Sequence, residues 1–492
     1  MMRRVTHILM LITALLTACT GAKTSQDSIP TCLEELSGHT VAVAGGSSTD
    51  LLLSQYEGID LMRINIGDMP VAVKSRRAEF AMMQEIQYDA NNLDGQGFMK
   101  CFGGILKGSS AIALRKDEAQ VCQDFNQFLA TMRSSGEYDR WFHDWIHNLD
   151  SMVVETERIP APHEGKHITV GITLVFPYIF LRNDVLTGLE IDLFNRFCRS
   201  RGYSPEYVIV QFQALIPSLN ANKIDAILSH LMVTPERSKQ VLFTDEYIEG
   251  GQCCFGLNPE WEDSARPGIG TRIKESINNH LIVEDRWKLL TGGLLVTLEI
   301  SVFSLLLAIV IGALLCYLRM LPGRVVSGVT RLFVETVRGI PILVILMIMF
   351  YVVFQDVRLE GVTVAVFSFA LFYGACFSEV FRTGMKSVKR GQYEAGRALG
   401  LNKVQVFRMI SFPQALKRIV PVFKGEVISL IKSTSIVGYV AVLDLTCAGD
   451  IIRTRTLDAF FPLILVSVIY IILSRISGAL LDALDRKLNQ SK

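Results

Sequence analysis

With 492 residues the chain is too long for one ordinary domain and predicts roughly three or four compact units. Half of its residues are apolar and its mean hydropathy is +0.34, yet a fifth are charged, which predicts a membrane part joined to a water-exposed part near Trp287. A net charge of +1 argues against a nucleic-acid-binding surface.

At the N-terminus Arg3 and Arg4 precede an apolar run from Ile8 to Leu16, which ends in Leu16-Thr17-Ala18-Cys19. That order predicts a secretory signal over 1–18, since the run is too short for a spanning helix with normal flanks. Its last four residues resemble the lipobox of bacterial lipoproteins, which implies cleavage before Cys19 and lipid on its sulfur. The alternative is a plain signal peptide with an incidental Cys; both readings export the residues after Cys19. Of ten cysteines, Cys316, Cys376 and Cys447 fall in or beside apolar spans. Cys32, Cys101, Cys122, Cys198, Cys253 and Cys254 would face an oxidising compartment where disulfides form. Their spacing assigns no pairing and lacks metal-ligand regularity.

Residues 38 to 149 read as short strands alternating with helices. Gly38 to Val43 is a strand, Gly46-Ser47-Ser48 opens a helix, and Ala78-Glu79-Phe80-Ala81 and Ala111–Leu114 are apolar runs. A last helix runs through Gly136-Glu137-Tyr138 to Trp145. Residues 151–166, with Pro160 and Pro162, read as a linker. From Ile168 the alternation resumes: Ile168–Gly171, a helix entered at Gly188-Leu189-Glu190, Lys223-Ile224-Asp225-Ala226-Ile227, Thr234-Pro235-Glu236-Arg237 and Phe243-Thr244-Asp245. The pattern predicts parallel sheets in an α/β layer fold. Residues 167–258 resemble the first lobe of periplasmic amino-acid-binding proteins, and 38–150 resemble the second. The resemblance implies a two-lobed clamshell with its lobes in permuted order. The rival is a remnant of two tandem receptors that have each lost a lobe.

Five apolar stretches then offer about 20 residues each: approximately 294–318, 340–354, 362–381, 420–442 and 460–481. The second contains Pro341, so its helix is expected to start earlier, near Leu332. The first loop holds Arg319, Arg324 and Arg331 without an acid. The third holds Arg382, Lys386, Lys389, Arg390, Arg397, Lys403, Arg408, Lys417 and Arg418 against Glu394. The second (Asp356, Arg358, Glu360) and fourth (Asp444, Asp450, Arg453, Arg455, Asp458) are mixed. Basic loops stay in the cytoplasm, so the N-terminal half lies outside, in agreement with an exported start. Glu379 and Lys432, within or at the ends of spans, are costly unless paired or wetted. Each is either interfacial or structurally paired, or else lies on a translocation path.

The third loop reads Glu394-Ala395-Gly396, three residues, Gly400, nine residues, Ile410-Ser411-Phe412-Pro413. It resembles the docking loop of ABC importer permeases, EAA, three residues, G, nine residues, I-x-LP, with Gly396 in place of Ala and Phe412 in place of Leu. Arg338-Gly339-Ile340-Pro341, the run from Glu379 to Glu394, and Ile431-Lys432-Ser433-Thr434-Ser435 resemble further segments of the polar amino-acid branch. The resemblance covers 285–487 and implies an all-α five-helix ABC permease membrane domain, with an ATPase subunit seated on 390–415. The chain itself has no G-x-x-x-x-G-K-[ST] loop and is expected to be no enzyme.

In the receptor family an amino-acid carboxylate is held by an Arg fork and helix-terminal amides, and its ammonium by an acid. The resemblance carries the fork to Arg237, beside Thr234, the amide contact to Ser47 and Ser48, and an apolar wall to Phe212. Without it, these are plainly a surface Arg, N-cap Ser and a core Phe. Gln84 stands where the acid is usual, followed by Glu85. His230 and Met232 stand where hydroxyls are usual, and Val175, beside Phe176, where an aromatic is usual. Either the ligand differs, or Glu85 substitutes, or binding is lost.

The whole reads as the receptor-plus-permease subunit of an ABC importer for polar amino acids or related solutes in a bacterial inner membrane. It would pair with a second permease copy and need no cofactor or metal. Two rivals are a ligand-gated channel, whose pore would instead interrupt the lobes, and a sensor, which needs an output domain where only a short tail follows Leu481.

Overall fold

The structure, a computed structural model, describes residues 29–490 apart from 159–161, 184, 262–273, 275, 356, 358, 457 and 459. The signal segment 1–18 and Cys19 lie outside the described residues, as do Pro160, Asp356 and Arg358.

Two five-stranded sheets make up the N-terminal half. Its strands are β1 Thr40–Ala44, β2 Asp60–Ile64, β3 Phe80–Gln84, β4 Phe98–Ser110, β5 Ala113–Leu114 and β6 Lys166–Ile172. Next come β7 Phe180–Arg182, β8 Val185–Thr187, β9 Tyr203–Ile209, β10 Ala226–Leu228, β11 Leu242–Phe243 and β12 Ile248–Leu257. The first sheet runs β2-β1-β3-β12-β4 and the second β11-β5-β10-β6-β9, while β7 and β8 form a small hairpin. β1 pairs parallel with β2 and β3, and β6 parallel with β9 and β10. The Thr40–Ala44 strand is small and apolar almost throughout because helices cover both of its faces.

The chain crosses between the sheets twice, after Ser110 and after Tyr247, and these crossings fall inside the expected segments. Residues from Ala111 leave the 38–150 segment for the second sheet, where β5 pairs antiparallel with β10 and β11. Their helices follow. Trp141 and Trp145, one turn apart on Glu137–His147, donate their indole N–H groups to buried Asp192 at 2.8 and 3.1 Å. Conversely β12, from the end of 167–258, inserts between β3 and β4 of the first sheet. The 151–166 linker is shorter than expected, because Leu149–Arg158 is helical and β6 begins at Lys166.

In the membrane half three helices are long and apolar enough to cross a bilayer: Trp287–Met320, Gly361–Lys386 and Phe460–Lys487. Two bent pairs bring the number to 5, one of Arg324–Gly339 with Ile342–Val353 and the other of Lys403–Val440 with Leu445–Thr456. The second span does not simply start earlier than Pro341. It breaks there by 105°. Pro341 has no N–H to donate and forces Ile340 into an extended conformation (φ −94°, ψ 134°), so two helices meet at the corner. The first and third spans touch through small residues. A Cβ at Gly312 would lie 2.7 Å from Phe377 Cβ and 3.0 Å from the Gly374 carbonyl oxygen. Glu379 is structurally paired, accepting hydrogen bonds from Arg319 and Arg382. Lys432 instead borders a wide groove of about 1090 Å³ between the Phe412–Ser433 and Phe460–Gln490 helices.

Candidate functional site

A narrow cavity of about 60 Å³ lies between the two sheets, lined from both sides. From the first-sheet unit come Ser47, Ser48 and Gln84, and from the second Phe212, Ser229 and Arg237. Ser47 caps the Ser48–Leu53 helix, accepting from the Asp50 amide at 3.1 Å. Ser48 Oγ reaches across to Met232 Sδ at 2.6 Å. Arg237 Nη1 donates to the Met232 carbonyl at 2.9 Å and Nη2 crosses to the Gly46 carbonyl at 2.8 Å. Its guanidinium lies 5.7 Å from the Phe212 ring centroid, and burial lowers its pKa. Thr234 caps the short helix that carries Arg237, accepting from the Arg237 amide at 3.3 Å.

Five of the expected residues therefore share the cavity, Thr234 supports one of them, and two do not belong. Glu85 turns away to accept the Gly104 amide at 2.7 Å, beside the side-chain-free Gly103 of β4. Phe176 packs edge-on against Phe180 at 4.9 Å and lies outside the cavity wall, which Val175 provides. Gln84 accepts from Tyr178 at 2.5 Å, a third link across the cleft. None of the described residues that line the cavity is an acid. The nearby buried carboxylate of Glu190 is taken by the Tyr247 hydroxyl at 2.6 Å and the His230 amide at 3.0 Å. Sequence reasoning missed Ser229, whose buried hydroxyl has no hydrogen-bond partner and lines the cavity. Only its place directly before His230 offered a clue.

Sequence reasoning also missed the contacts between the two halves. The Leu445–Thr456 helix, before the fifth span, lies against both sheet units. Arg453 pairs with Asp68 of the first and with Asp450 of its own helix. The Arg455 guanidinium sits 3.7 Å from the Phe176 ring centroid of the second and 2.9 Å from Glu284. A Cβ on Gly67 would lie 2.5 Å from Thr454 Cβ, so the backbones approach closely. Lys223 Nζ donates to the Phe354 and Val357 carbonyls at the end of the second span. A second cavity of about 140 Å³ is shared by Gly67, Leu174, Phe212, Gly438, Cys447 and Ile451, and so by all three bodies.

The third loop folds as two short helices, Arg390–Ala398 and Lys403–Val406, which lead into Phe412–Ser433. Gly400 turns the chain at φ +82°, a left-handed geometry that penalises side chains, and Asn402 with Gln405 forms a capping box. Gly396 packs on Ile410, whose Cδ1 would lie 2.7 Å from an added Cβ. Glu394 makes an exposed pair with Arg390 at 2.9 Å, Ala395 sits beside it on the first helix, and Pro413 occupies the first turn of the last. Leu399 is 80% exposed, Val404 71% and Met409 65%, so the loop presents apolar side chains outward. The third span separates this loop from the sheet-facing ends by 26 residues, about 39 Å of helix.

A bundle of spanning helices with a two-helix loop at one end and an α/β unit at the other defines a membrane transport component. Residues 304–490 match the family model "binding-protein-dependent transport system inner membrane component". The chain is 35% identical over 181 residues to the probable glutamine ABC transporter permease protein GlnP of Bacillus subtilis, covering 36% of this chain and 83% of that one. With the glutamine transport system permease protein GlnP of Escherichia coli K12 it is 33% identical over 203 residues, 41% of this chain and 93% of that one. The chain belongs to the family of binding-protein-dependent transport system inner membrane components. A solved amino acid ABC transporter crystallised with histidines aligns at 26% identity, 45% of this chain, 99% of that chain and a TM-score of 0.39.

Proposed function

We propose that this chain is the combined receptor and permease subunit of an ABC importer for polar amino acids or related small solutes. The two sheet units form one permuted clamshell, tethered outside the inner membrane by lipid on Cys19, and the membrane half pairs with a second copy. A separate ATPase subunit sits on Glu394–Pro413. A solute carboxylate entering the cleft displaces the Gly46 and Met232 carbonyls from Arg237, a favourable exchange because a guanidinium fork fits two carboxylate oxygens. Ser47, Ser48 and Ser229 are placed to complete its contacts. ATP binding and hydrolysis by the partner then alternate the bundle between outward and inward states.

The observation that carries this reading is the seating of both units on the Leu445–Thr456 helix, around a cavity they share with the membrane half. The test is reconstitution of the full chain with its ATPase in liposomes, scored by solute-stimulated ATP hydrolysis. Glutamine or a related amino acid is expected to stimulate, and Arg237→Ala to abolish the stimulation while leaving basal hydrolysis. Failure of every amino acid would overturn the substrate class.

A second reading is favoured by the absence of an acid among the described cavity-lining residues. An ammonium would have no carboxylate partner, so the receptor half would take a ligand without one, or act only as a regulator. Stimulation by a carboxylic acid lacking an amine, with none by amino acids, would establish it.

A further inference from the structure

The two strands that carry the chain between the sheets each bear a cysteine at one point of contact. β12 and β4 run antiparallel, with Cys254 opposite Phe102 and Phe255 opposite Lys100. Between those pairs β4 spends one extra residue, Cys101, which makes a bulge against Cys254. A bulge turns its extra residue toward the face of the residue opposite, and the packing agrees. Cys101 and Cys254 belong to one apolar cluster with Leu36 and Met82. Cys253 faces the other side of the sheet, among Tyr88 and Phe98. Opposed antiparallel residues have Cα atoms about 4.5–5.5 Å apart, within the range of roughly 4.4–6.8 Å that a disulfide spans.

We propose that Cys101 and Cys254 form a disulfide that locks the strand pair at the base of the receptor hinge. This rests on the outward placement of the receptor half proposed above. The neighbouring Cys254 thiol holds Cys101 below the ordinary thiol range, and Cys101, with burial, pushes Cys254 well above it. Cys101 is thus the attacking thiolate. It attacks one sulfur of a protein or small-molecule disulfide and releases the other sulfur as a thiolate. Cys254 then loses its proton, attacks the Cys101 sulfur of the mixed disulfide and expels the second thiolate. Two thiols of the chain are oxidised as one disulfide is reduced to two thiols, with no metal needed. The bond closes a loop that contains the entire second-sheet unit.

The test uses the full-length chain from cells quenched with an alkylating agent, digested without reduction and sequenced by tandem mass spectrometry. A peptide joining Cys101 to Cys254 is expected, lost in Cys101→Ser and Cys254→Ser and retained in Cys253→Ser. Reduction of the purified chain is expected to lower the first unfolding transition by roughly 10 °C. In parallel, the exposed site of a Glu236→Cys variant is probed on intact cells with a membrane-impermeant maleimide. Labelling there with Cys101 and Cys254 both free, or a link through Cys253 instead, overturns the disulfide alone. Free thiols with no labelling overturn the outward placement, and the disulfide with it.

Discussion

Replacing Arg455 should loosen the two-sheet half from the membrane half by an amount the geometry fixes. Its guanidinium lies 3.7 Å from the Phe176 ring centroid and 5.2 Å from that of Phe180, and it pairs with Glu284 at 2.9 Å. A cation over a ring is worth about 2 kcal/mol when desolvated and about 0.5–1 kcal/mol when exposed. The Glu284 pair, with side chains 21% and 17% exposed, lies beside the start of the first span and positions the guanidinium without itself joining the halves. Arg455→Ala should therefore cost roughly 2 kcal/mol of docking, a shift of about 30-fold in the docked-to-undocked ratio. Arg455→Lys keeps a charge for Glu284 but loses the flat stacking group, and should cost only about 1 kcal/mol. Hydrogen–deuterium exchange of amides in 64–68, 174–181 and 445–456 reads the change, because these segments line the contact between the halves. A cycle with Phe176→Leu isolates the ring term: in that background Arg455→Ala should cost about 1 kcal/mol less or better. Equal exchange in wild type and Arg455→Ala would show that this contact does not hold the halves together.

Asp192→Ala should destabilise the second-sheet unit, since it strands two buried indole N–H donors at roughly 1–3 kcal/mol each. A drop of about 10 °C in the intrinsic-tryptophan melting transition is expected. In the third loop Gly396→Ala should leave ATPase co-purification intact, because only the flexible tip of Ile410 must yield, whereas Gly400→Val forces a branched side chain to φ +82° and should weaken capture markedly. The Glu284–Arg455 pair should also depend on pH in one direction. Burial raises the Glu284 pKa, but Arg455 and Arg286 outweigh it and leave the carboxyl below its usual 4.5. A group depressed on folding contributes above its unfolded pKa and stops contributing as pH falls through the folded one. Protection of 283–286 and 453–456 should then stay flat from about pH 8 to about pH 5 and decline only below 4.5, as measured by exchange or limited proteolysis.

The glycine turn of the third loop was legible because its chemistry is local, whereas the Asn402 cap beside it went unread. The spans were legible from hydropathy, but the corner at Pro341 was not, since a proline is compatible with either a helix begun earlier or a break. Unit boundaries were misplaced because two-residue β5 and inserted β12 owe their positions to pairing partners more than a hundred residues away. Glu85 and Phe176 carried the right chemistry in the right place along the chain. Which way each side chain turned was decided by Gly104 and by Arg455, neither of which is near in sequence. Arg453 and Arg455 read as ordinary loop charges, for a docked arginine and a solvated one look alike until the opposing surface is known.

Because the described chain builds the first-sheet unit from β1 and returns to it through β12, that unit lies at both ends of the two-sheet half. The second-sheet unit hangs from it by two strands, like a pendulum on a double suspension. Whatever swings it must act through noncovalent grips, and the hold of Lys223 on the Phe354 and Val357 carbonyls is one of them. A movement that withdraws those carbonyls would leave the suspended body held by Arg455 against Phe176 and Phe180.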